Sequence, residues 1–210
     1  QRYETAHPEV DIALSFGASS TLATQIAEGA PANIFASASP AAMASAGNRI
    51  VDARDYLGNE VVVVVFVGDH DGVGIDNGGA AELDRVKTWV QCAHEVPCGA
   101  AADKAIAIFG VKSTPVSLEP DAASAMEKVS SGEVDAGVVY YTDARQAKHV
   151  NIVSFCTCRA GSPEALATMT RYRIGAVDSP DATAADVLAY LQSKEALDAA
   201  DKLGFSAPAI

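Results

Sequence analysis

Ser15–Ser39 reads SFGASSTLATQIAEGAPANIFASAS, and this stretch combines a strand end, a small-residue turn, a helix and a second strand. Apolar and polar residues alternate over 10–16, which predicts the first strand. The following helix is predicted to begin near Ser19 and to end at Gly29, because glycine is common at helix C-termini. The second strand is predicted over 33–37. A strand, a helix and a strand in succession indicate an α/β fold.

The remainder of the chain continues this alternation, which is typical of α/β proteins with parallel sheets. The run VVVVVFV at 61–67 contains no polar residue, so we predict a strand that is buried on both faces. Residues 1–7 are predicted to end a helix, and residues 50–57 to form a connector. The further strands are predicted over 88–92, 116–118, 134–141, 149–155 and 173–177. The further helices are predicted over 40–46, 81–85, 100–109, 121–129, 143–148, 184–192 (capped by Thr183) and 194–202.

Composition limits the functions that are open to the chain. With 210 residues it can bury a core as one large domain or as two small lobes. No run reaches the roughly 18 apolar residues of a transmembrane helix. A net charge of −12 argues against nucleic acid and anionic membrane surfaces as partners. The same charge repels anions at long range, so an anionic ligand must be held by local donors.

Three short segments place hydrogen-bond donors where helices are predicted to begin. Hydroxyl residues occupy 19–21, and the sequences VPCGA and EPDAA occupy 96–100 and 119–123. The first N–H groups of a helix have no intrahelical acceptor, and the helix dipole favours negative charge near them. An N-cap at Ser19 or Ser20, worth about 1 kcal/mol, is the alternative to an anion site at the first segment. At 119–123, Asp121 is predicted to cap the following helix, and an ordinary capped helix is likewise the alternative to an anion site.

These segments, together with GVVYYTDA at 137–144, resemble the signature of the molybdate-binding proteins of ABC importers. The resemblance covers the chain from about residue 8 onward, and the four motifs occur in the family's order. The residues that it implies as oxyanion ligands are Ser19 (hydroxyl and N–H), Cys98 and Ala122 (N–H), and Tyr140 (hydroxyl). Tyr141 replaces a small residue of the family, and Tyr140 is chosen because it precedes the matching Asp143 by three residues.

The resemblance also implies a fold, namely the two-lobed type II fold of periplasmic binding proteins, with the ligand in the interlobe cleft. Each lobe is expected to be a mostly parallel sheet flanked by helices. The connections between the lobes are placed near 61–67 and 173–177. The lobes are therefore predicted to comprise residues 1–66 with 172–210, and residues 67–171. A further strand with another serine ligand is expected before Gln1.

On this resemblance the protein is a receptor, not an enzyme, that delivers molybdate or tungstate to the membrane subunits of an ABC importer. It is expected outside the cytoplasm as a monomer without a cofactor, and a preceding segment could carry a lipid anchor. Neutral donors without a carboxylate acceptor suit a fully ionised tetrahedral oxyanion, whereas a protonated phosphate needs an acceptor. A hydrogen bond to a charged partner contributes about 1.5–3 kcal/mol. Four or five such bonds could offset desolvation and leave the roughly 8 kcal/mol of a micromolar site. Sulfate or another oxyanion is the alternative ligand.

An even number of cysteines fits an oxidising compartment, and three disulfide connectivities are open. The four residues are Cys92, Cys98, Cys156 and Cys158. We favour Cys92–Cys98, which would staple the VPCGA segment, because a Cys156–Cys158 bridge closes a very small ring. Zinc is a competitor, but Cys156 and Cys158 with His94 or His149 lack the usual spacing between thiolates.

A thiol enzyme centred on Cys98 is the alternative from another functional class. A thiol at a helix N-terminus can have a lowered pKa, and His94 lies four residues before Cys98. The chain has no G-x-S-x-G nucleophile motif, so a binding protein is preferred. The Asp- and Gly-rich segment 69–79 fails as a calcium loop, because Val73 and Ala80 occupy ligand positions, and is predicted to be a solvated loop.

Overall fold

The computed structural model describes residues 1–68, 79–155 and 162–208, which form an α/β structure. The strands in these ranges are β1 Ile34–Ser37, β2 Ile50–Phe66, β3 Trp89–Cys92, β4 Ser117–Glu119, β5 Ala136–Tyr140, β6 Val150–Val153 and β7 Met169–Val177. The α-helices are α1 Arg2–Ala6, α2 Ser19–Ala27, α3 Pro40–Ser45, α4 Pro97–Phe109, α5 Ala122–Ser130, α6 Tyr141–Ala144, α7 Pro163–Thr168, α8 Ala182–Leu191 and α9 Lys194–Lys202. Short 3-10 helices span Gly47–Arg49 and Gly79–Asp84. In this described part of the chain, no helix has the length and apolar character needed to cross a membrane.

Residue contacts divide the chain into two compact units. The first unit comprises Gln1–Leu57 and Arg171–Ala207, and the second contains Gly58–Thr170. Strands β2 and β7 each contribute residues to both units. The lobe limits expected at residues 66 and 172 stay a prediction.

In the first unit, β1 pairs antiparallel with β7. Helices α2 and α3 cover a small core whose buried residues are Ala23, Ile26, Phe35, Met43, Ala46 and Val177. Arg49 closes the carboxyl end of α2, because its guanidinium donates to the carbonyl groups of Ile26 and Ala30. The same guanidinium forms an ion pair of 2.7 Å with Asp178. This arrangement fixes α2 at the end opposite to its hydroxyl residues.

The second unit is built around β3, which pairs in parallel with β4 and with β5. Strand β5 continues antiparallel onto β2, and β2 also pairs antiparallel with β6. The valines at 61–65 are at most 8% exposed, which explains why this run shows no polar alternation. The main cluster of buried residues consists of Val62, Val64, Val90, Ala125, Met126, Val129, Val134, Val139 and Ala144.

The predicted α/β fold class is confirmed, with a mixed sheet and flanking helices. Parallel pairing surrounds β3, whereas each described antiparallel pair includes β2 or β7. Several predicted helix ends are confirmed as well. Helix α2 stops just before Gly29, which has a φ of 102°, and α9 spans the predicted 194–202. Asp121 caps α5 as expected, but Asp181 rather than Thr183 caps α8.

Other local predictions are wrong. Residues 10–16 form no strand with any described partner, and Leu14 and Phe16 are 70% and 87% exposed. The predicted connector 50–57 is the first half of the 17-residue strand β2. Helix α4 begins at Pro97 rather than near residue 100, and α7 was not predicted. The predicted loop at 69–79, except for Gly79, and the alternatives for Cys156 and Cys158 lie outside the described residues.

Candidate functional site

Ser19 is the first residue of α2 and is only 8% exposed. Ala18 occupies the N-cap position and no side chain caps the helix, so the interpretation of Ser19 or Ser20 as a simple cap is wrong. The Oγ of Ser19 accepts a hydrogen bond of 3.0 Å from the N–H of Ala38. Among the described residues, this hydroxyl donates to no acceptor, and neither do the N–H groups of residues 19–21. The start of α2 therefore offers a buried hydroxyl and a row of N–H donors.

The turn after β1 holds the Ser19 side chain in place. Ser37 is fully buried, and its hydroxyl donates to the carbonyl of Ser39 and accepts from the N–H of Ser39. Ser39 in turn caps α3 by accepting from the N–H of Ala42 at 3.1 Å. These hydrogen bonds fix the turn around Ala38, whose N–H reaches Ser19. Ser19 thus has one orientation set by backbone, which leaves its proton for another acceptor.

In the second unit, three neighbouring parallel strands end close to predicted ligand residues. Strands β4, β3 and β5 end at Glu119, Cys92 and Tyr140, and each is followed by a helix. Binding sites of α/β proteins commonly lie beyond the carboxyl ends of parallel strands. The N–H of Ala93 donates to the carbonyl of Glu119 at 2.7 Å, which ties the first two of these ends together. The fold therefore brings Cys98, Ala122 and Tyr140 to one edge of the sheet, while Ser19 belongs to the first unit.

Cys98 is the second residue of α4 and forms a disulfide with Cys92, the last residue of β3. The predicted tight turn before a helix is thus the first turn of the helix itself. In the described part of the chain, the N–H groups of Cys98 and Gly99 have no acceptor. Gly99 packs so closely that an added Cβ would lie 1.9 Å from the carbonyl oxygen of Ala93. Only glycine leaves this first turn in place.

Ala122 is the first residue of α5, where Asp121 acts as the N-cap. The carboxylate of Asp121 accepts from the N–H of Ser124 at 2.8 Å. Within the described residues, the N–H groups of Ala122 and Ala123 have no acceptor. The cap accepts from the N–H of Ser124, whereas the predicted ligand is the N–H of Ala122. The geometry is therefore compatible with an ordinary capped helix and with an anion-binding donor at Ala122.

Tyr140 is the last residue of β5 and is 6% exposed. Its neighbour Tyr141 packs against the main core cluster of the second unit. The guanidinium of Arg145 lies 5.8 Å from the centre of the Tyr141 ring. Tyr140 ends β5 whereas Tyr141 begins α6, so the two tyrosines have different surroundings. The choice of Tyr140 over Tyr141 as the ligand stays a prediction.

Sequence reasoning missed a polar pair beside Tyr140. The side-chain amide of Asn59 donates to the hydroxyl of Thr142 at 2.9 Å, and both residues are buried. The backbone carbonyl of Asn59 accepts from the hydroxyl of Thr170. The asparagine preceding the valine run is a sequence signal for this contact, because a buried amide within an apolar strand requires polar partners.

Three carboxyl groups surround these strand ends. Glu119 is 7% exposed, and burial disfavours its charge, but hydrogen bonds from Ser117 and Lys128 outweigh burial and lower its pKa. Burial raises the pKa of Asp143, and the negative charge of Asp121 raises it further. Glu119 is thus paired with Lys128, Asp121 serves as a helix cap, and the charged form of Asp143 is disfavoured.

A pocket of about 490 Å³ lies beside α5 and α6. It is lined by Ala123, Met126, Glu127, Ser130, Asp143, Gln146, Ala147, Lys148 and His149. None of the four predicted ligands lines it, although Ala123 and Asp143 neighbour two of them. The four predicted ligands thus lie outside its lining, whereas Ala123, whose N–H is among the donors described above, belongs to it.

The structure also bears on the thiol-enzyme alternative. Cys98 is bonded to Cys92 and presents no thiol, and the Nδ1 of His94 lies 2.7 Å from a carboxylate oxygen of Asp103. The described residues contain no group of three or more His, Cys, Asp or Glu side chains suited to a metal ion. His94 is consequently engaged with Asp103 instead of with a cysteine nucleophile.

Comparison with known proteins places the chain in a family of bacterial binding proteins. Residues 1–206 match the family described as bacterial extracellular solute-binding protein. The molybdate-binding protein ModA of Mycobacterium tuberculosis H37Rv is 30% identical over 214 residues, which cover 99% of this chain and 78% of that protein. The putative ABC transporter substrate-binding lipoprotein YvgL of Bacillus subtilis is 30% identical over 221 residues, covering 99% of this chain and 80% of that protein.

Solved structures show the same fold. The periplasmic molybdate-binding protein of Azotobacter vinelandii has a TM-score of 0.75 to this chain at 18% identity. The match covers 99% of this chain and 92% of that structure. At this level of identity the likeness concerns the fold alone.

Proposed function

The chain belongs to the family of bacterial extracellular solute-binding proteins, and on this premise we propose that it binds molybdate or tungstate for an ABC importer. Relatives with 30% identity over 99% of the chain are molybdate-binding proteins, and another is a putative ABC transporter substrate-binding lipoprotein. The partners would be the oxyanion and the membrane subunits of the importer. The protein would act outside the cytoplasm, as a monomer and without catalysis.

The observation that carries this proposal is a set of uncharged donors for which the described residues provide no acceptor. In the described residues, the N–H groups at the starts of α2, α4 and α5 and the hydroxyl of Ser19 donate to nothing. The first N–H groups of a helix have no intrahelical acceptor and favour an anion, so a bound anion would satisfy them and the Ser19 hydroxyl. The proposed ligands are the hydroxyl groups of Ser19 and Tyr140 and the N–H groups of Ser19, Cys98 and Ala122.

The energy of such a set is sufficient for capture at low concentration. Each hydrogen bond to a charged partner contributes about 1.5–3 kcal/mol. Five donors would therefore offset a desolvation cost of several kcal/mol and still leave the roughly 8 kcal/mol of a micromolar site. Because the chain carries a net charge of −12, this local attraction has to act against long-range repulsion.

The surroundings favour a fully ionised oxyanion over a protonated one. A protonated phosphate also needs an acceptor for its own O–H. Of the carboxyl groups near the donors, Glu119 pairs with Lys128 at 2.9 Å and Asp121 caps α5, while burial disfavours the charge of Asp143. Molybdate and tungstate need donors only, which is what the four ligand residues supply.

The test is calorimetric titration of the purified protein with molybdate, tungstate, sulfate and phosphate. We expect one-to-one binding of molybdate and tungstate. Ser19→Ala and Tyr140→Phe should each weaken binding about tenfold to a hundredfold, as expected for one lost hydrogen bond to an anion. Ser45→Ala and Tyr141→Phe are matched controls, because Ser45 is exposed on α3 and the Tyr141 ring faces the core.

The outcomes separate the alternatives. Binding of sulfate in place of molybdate would retain an oxyanion receptor and reject the proposed ligand. Equal losses in the ligand variants and in their controls would reject the proposed residues. Absence of binding for all four anions would reject the proposed function.

A further inference from the structure

The turn that leads from β3 into α4 is closed by a buried covalent bond. Cys92 is fully buried at the end of the strand, and Cys98 is 5% exposed in the first turn of the helix. Their disulfide spans a sequence separation of six residues, with the two Cα atoms 5.7 Å apart. It therefore joins the strand end directly to the helix start, where two N–H groups have no acceptor among the described residues.

The backbone of this turn is held from within. The N–H of Val96 donates to the carbonyl of Ala93 at 3.1 Å, and the N–H of Ala93 donates to the carbonyl of Glu119 at 2.7 Å. Gly99 rests against the carbonyl groups of Ala93 and Cys92, where an added Cβ would lie at 1.9 and 2.7 Å. The positions of the Cys98 and Gly99 N–H groups are thus coupled to the end of β3.

We propose that the Cys92–Cys98 disulfide is a positioning element of the oxyanion site, which holds the N–H groups of Cys98 and Gly99 in their binding orientation. This inference rests on the proposed function. It extends the donor set to Gly99, and it gives Cys98 a role for its side chain beside the role of its N–H. Neither cysteine sulfur contacts the ion in this proposal, because the bond acts through the backbone.

A purely stabilising role is the competing explanation. Disulfides stabilise mainly by restricting the unfolded chain, and the effect grows with the length of the closed loop. This loop is short, whereas the residues that it orients are donors that gain strength only when their geometry is fixed. The two explanations differ in what they predict for ligand affinity at a temperature where the protein is fully folded.

The test compares Cys92→Ala/Cys98→Ala with Val64→Ala. Val64 is fully buried in β2 of the same unit, so its truncation destabilises the unit without touching the turn. Molybdate affinity is measured by calorimetry well below the unfolding midpoint of each variant. We expect the double variant to bind molybdate about tenfold to a hundredfold more weakly, and Val64→Ala to keep the wild-type dissociation constant.

A spectroscopic measurement addresses positioning directly. In ¹⁵N-labelled wild-type protein, the amide resonances of Cys98 and Gly99 should shift when molybdate is added. In the double variant the shifts at positions 98 and 99 should shrink, while that at Ser19 should persist at saturating molybdate. A second variant, Cys92→Val/Cys98→Ala, keeps the buried strand position filled with a residue that suits strands.

The possible results are distinguishable. If the wild-type protein binds no oxyanion, the proposed function fails before this inference is reached. If it binds molybdate and both cysteine variants bind with the same dissociation constant, the positioning role is wrong. If the ¹⁵N spectra of both cysteine variants show that they are unfolded, the disulfide serves the fold and the positioning role is rejected. The positioning role is also rejected if Val64→Ala weakens molybdate binding as much as the cysteine variants do.

Discussion

Replacement of Gly99 by alanine is the substitution whose effect on the candidate site can be worked out furthest. The new Cβ would lie 1.9 Å from the carbonyl oxygen of Ala93, whereas real Cβ atoms essentially never approach closer than 3.0 Å. The first turn of α4 must therefore move by about 1.1 Å (3.0 − 1.9) relative to Ala93. Overpacking of this kind costs about 1–3 kcal/mol of stability. The displacement also carries the Cys98 and Gly99 N–H groups away from their positions.

The expected result is a loss of affinity in addition to the loss of stability. One hydrogen bond to an anion contributes about 1.5–3 kcal/mol, so Gly99→Ala should weaken molybdate binding about tenfold to a hundredfold. Calorimetric titration and thermal unfolding without ligand measure the two effects separately. Gly110→Ala is the control at the other end of the same helix, where φ is 68° and no atom lies within 4 Å of the added Cβ. It should cost about 1–2 kcal/mol and leave affinity unchanged.

The reasoning would be refuted by a Gly99→Ala protein that is destabilised yet binds molybdate like the wild type. Such a result would mean that the start of α4 can move without consequence for the ligand. The N–H groups of Cys98 and Gly99 would then not be ligands. The steric argument itself would be wrong if Gly99→Ala were no less stable than the wild type.

Three further predictions concern stability. Arg49→Ala should lower the unfolding midpoint, because it leaves two carbonyl groups at the end of α2 and the carboxylate of Asp178 without their partner; thermal unfolding measures this. Ser39→Ala removes the N-cap of α3 and should cost about 1 kcal/mol in denaturant unfolding. Burial, and then the charge of Asp121, raises the pKa of Asp143. The folded state therefore loses stability as the pH rises from the ordinary aspartate pKa of about 3.9 through the raised pKa of Asp143. Asp143→Asn should therefore stabilise the protein at pH 7 and have little effect at pH 3, as measured by unfolding at both pH values.

Sequence reasoning succeeded where the determining interactions are local. Helix α2 ends next to Gly29 because a residue with a φ of 102° can follow a helix without strain only if it is glycine. Asp121 was predicted to cap α5, and its carboxylate accepts from the N–H three residues later. The apolar run at 61–67 was predicted to be a strand because it has no polar residue, and all of it except Val67 lies in β2. In each case the signal and its cause lie within a few residues of each other.

The failures involve interactions between distant parts of the chain. The pattern over 10–16 alternates like a strand, but a strand requires a paired neighbour, and none pairs with it among the described residues. Residues 50–57 were predicted to be a connector, yet they form the first part of β2, and Ile50 and Ala53 pack against the core of the first unit. Pairing across 120 residues also sets the position of Arg173, whose guanidinium donates to the carbonyl of Ala53. A local sequence pattern does not indicate which distant residues will be in contact.

The candidate site shows the same division between side chains and backbone. Ser19 and Tyr140 would bind through hydroxyl groups, so substitution there changes the ligand set directly. Cys98 and Ala122 would bind through N–H groups that every residue except proline possesses. The positions of these two N–H groups are therefore determined by the residues that fix the backbone of their turns. For Cys98 these are the close contact at Gly99 and the bond to Cys92, which together connect the donor to the end of β3. A site of this kind is expected to tolerate changes at its ligand positions and to be sensitive to changes at the residues that hold the backbone.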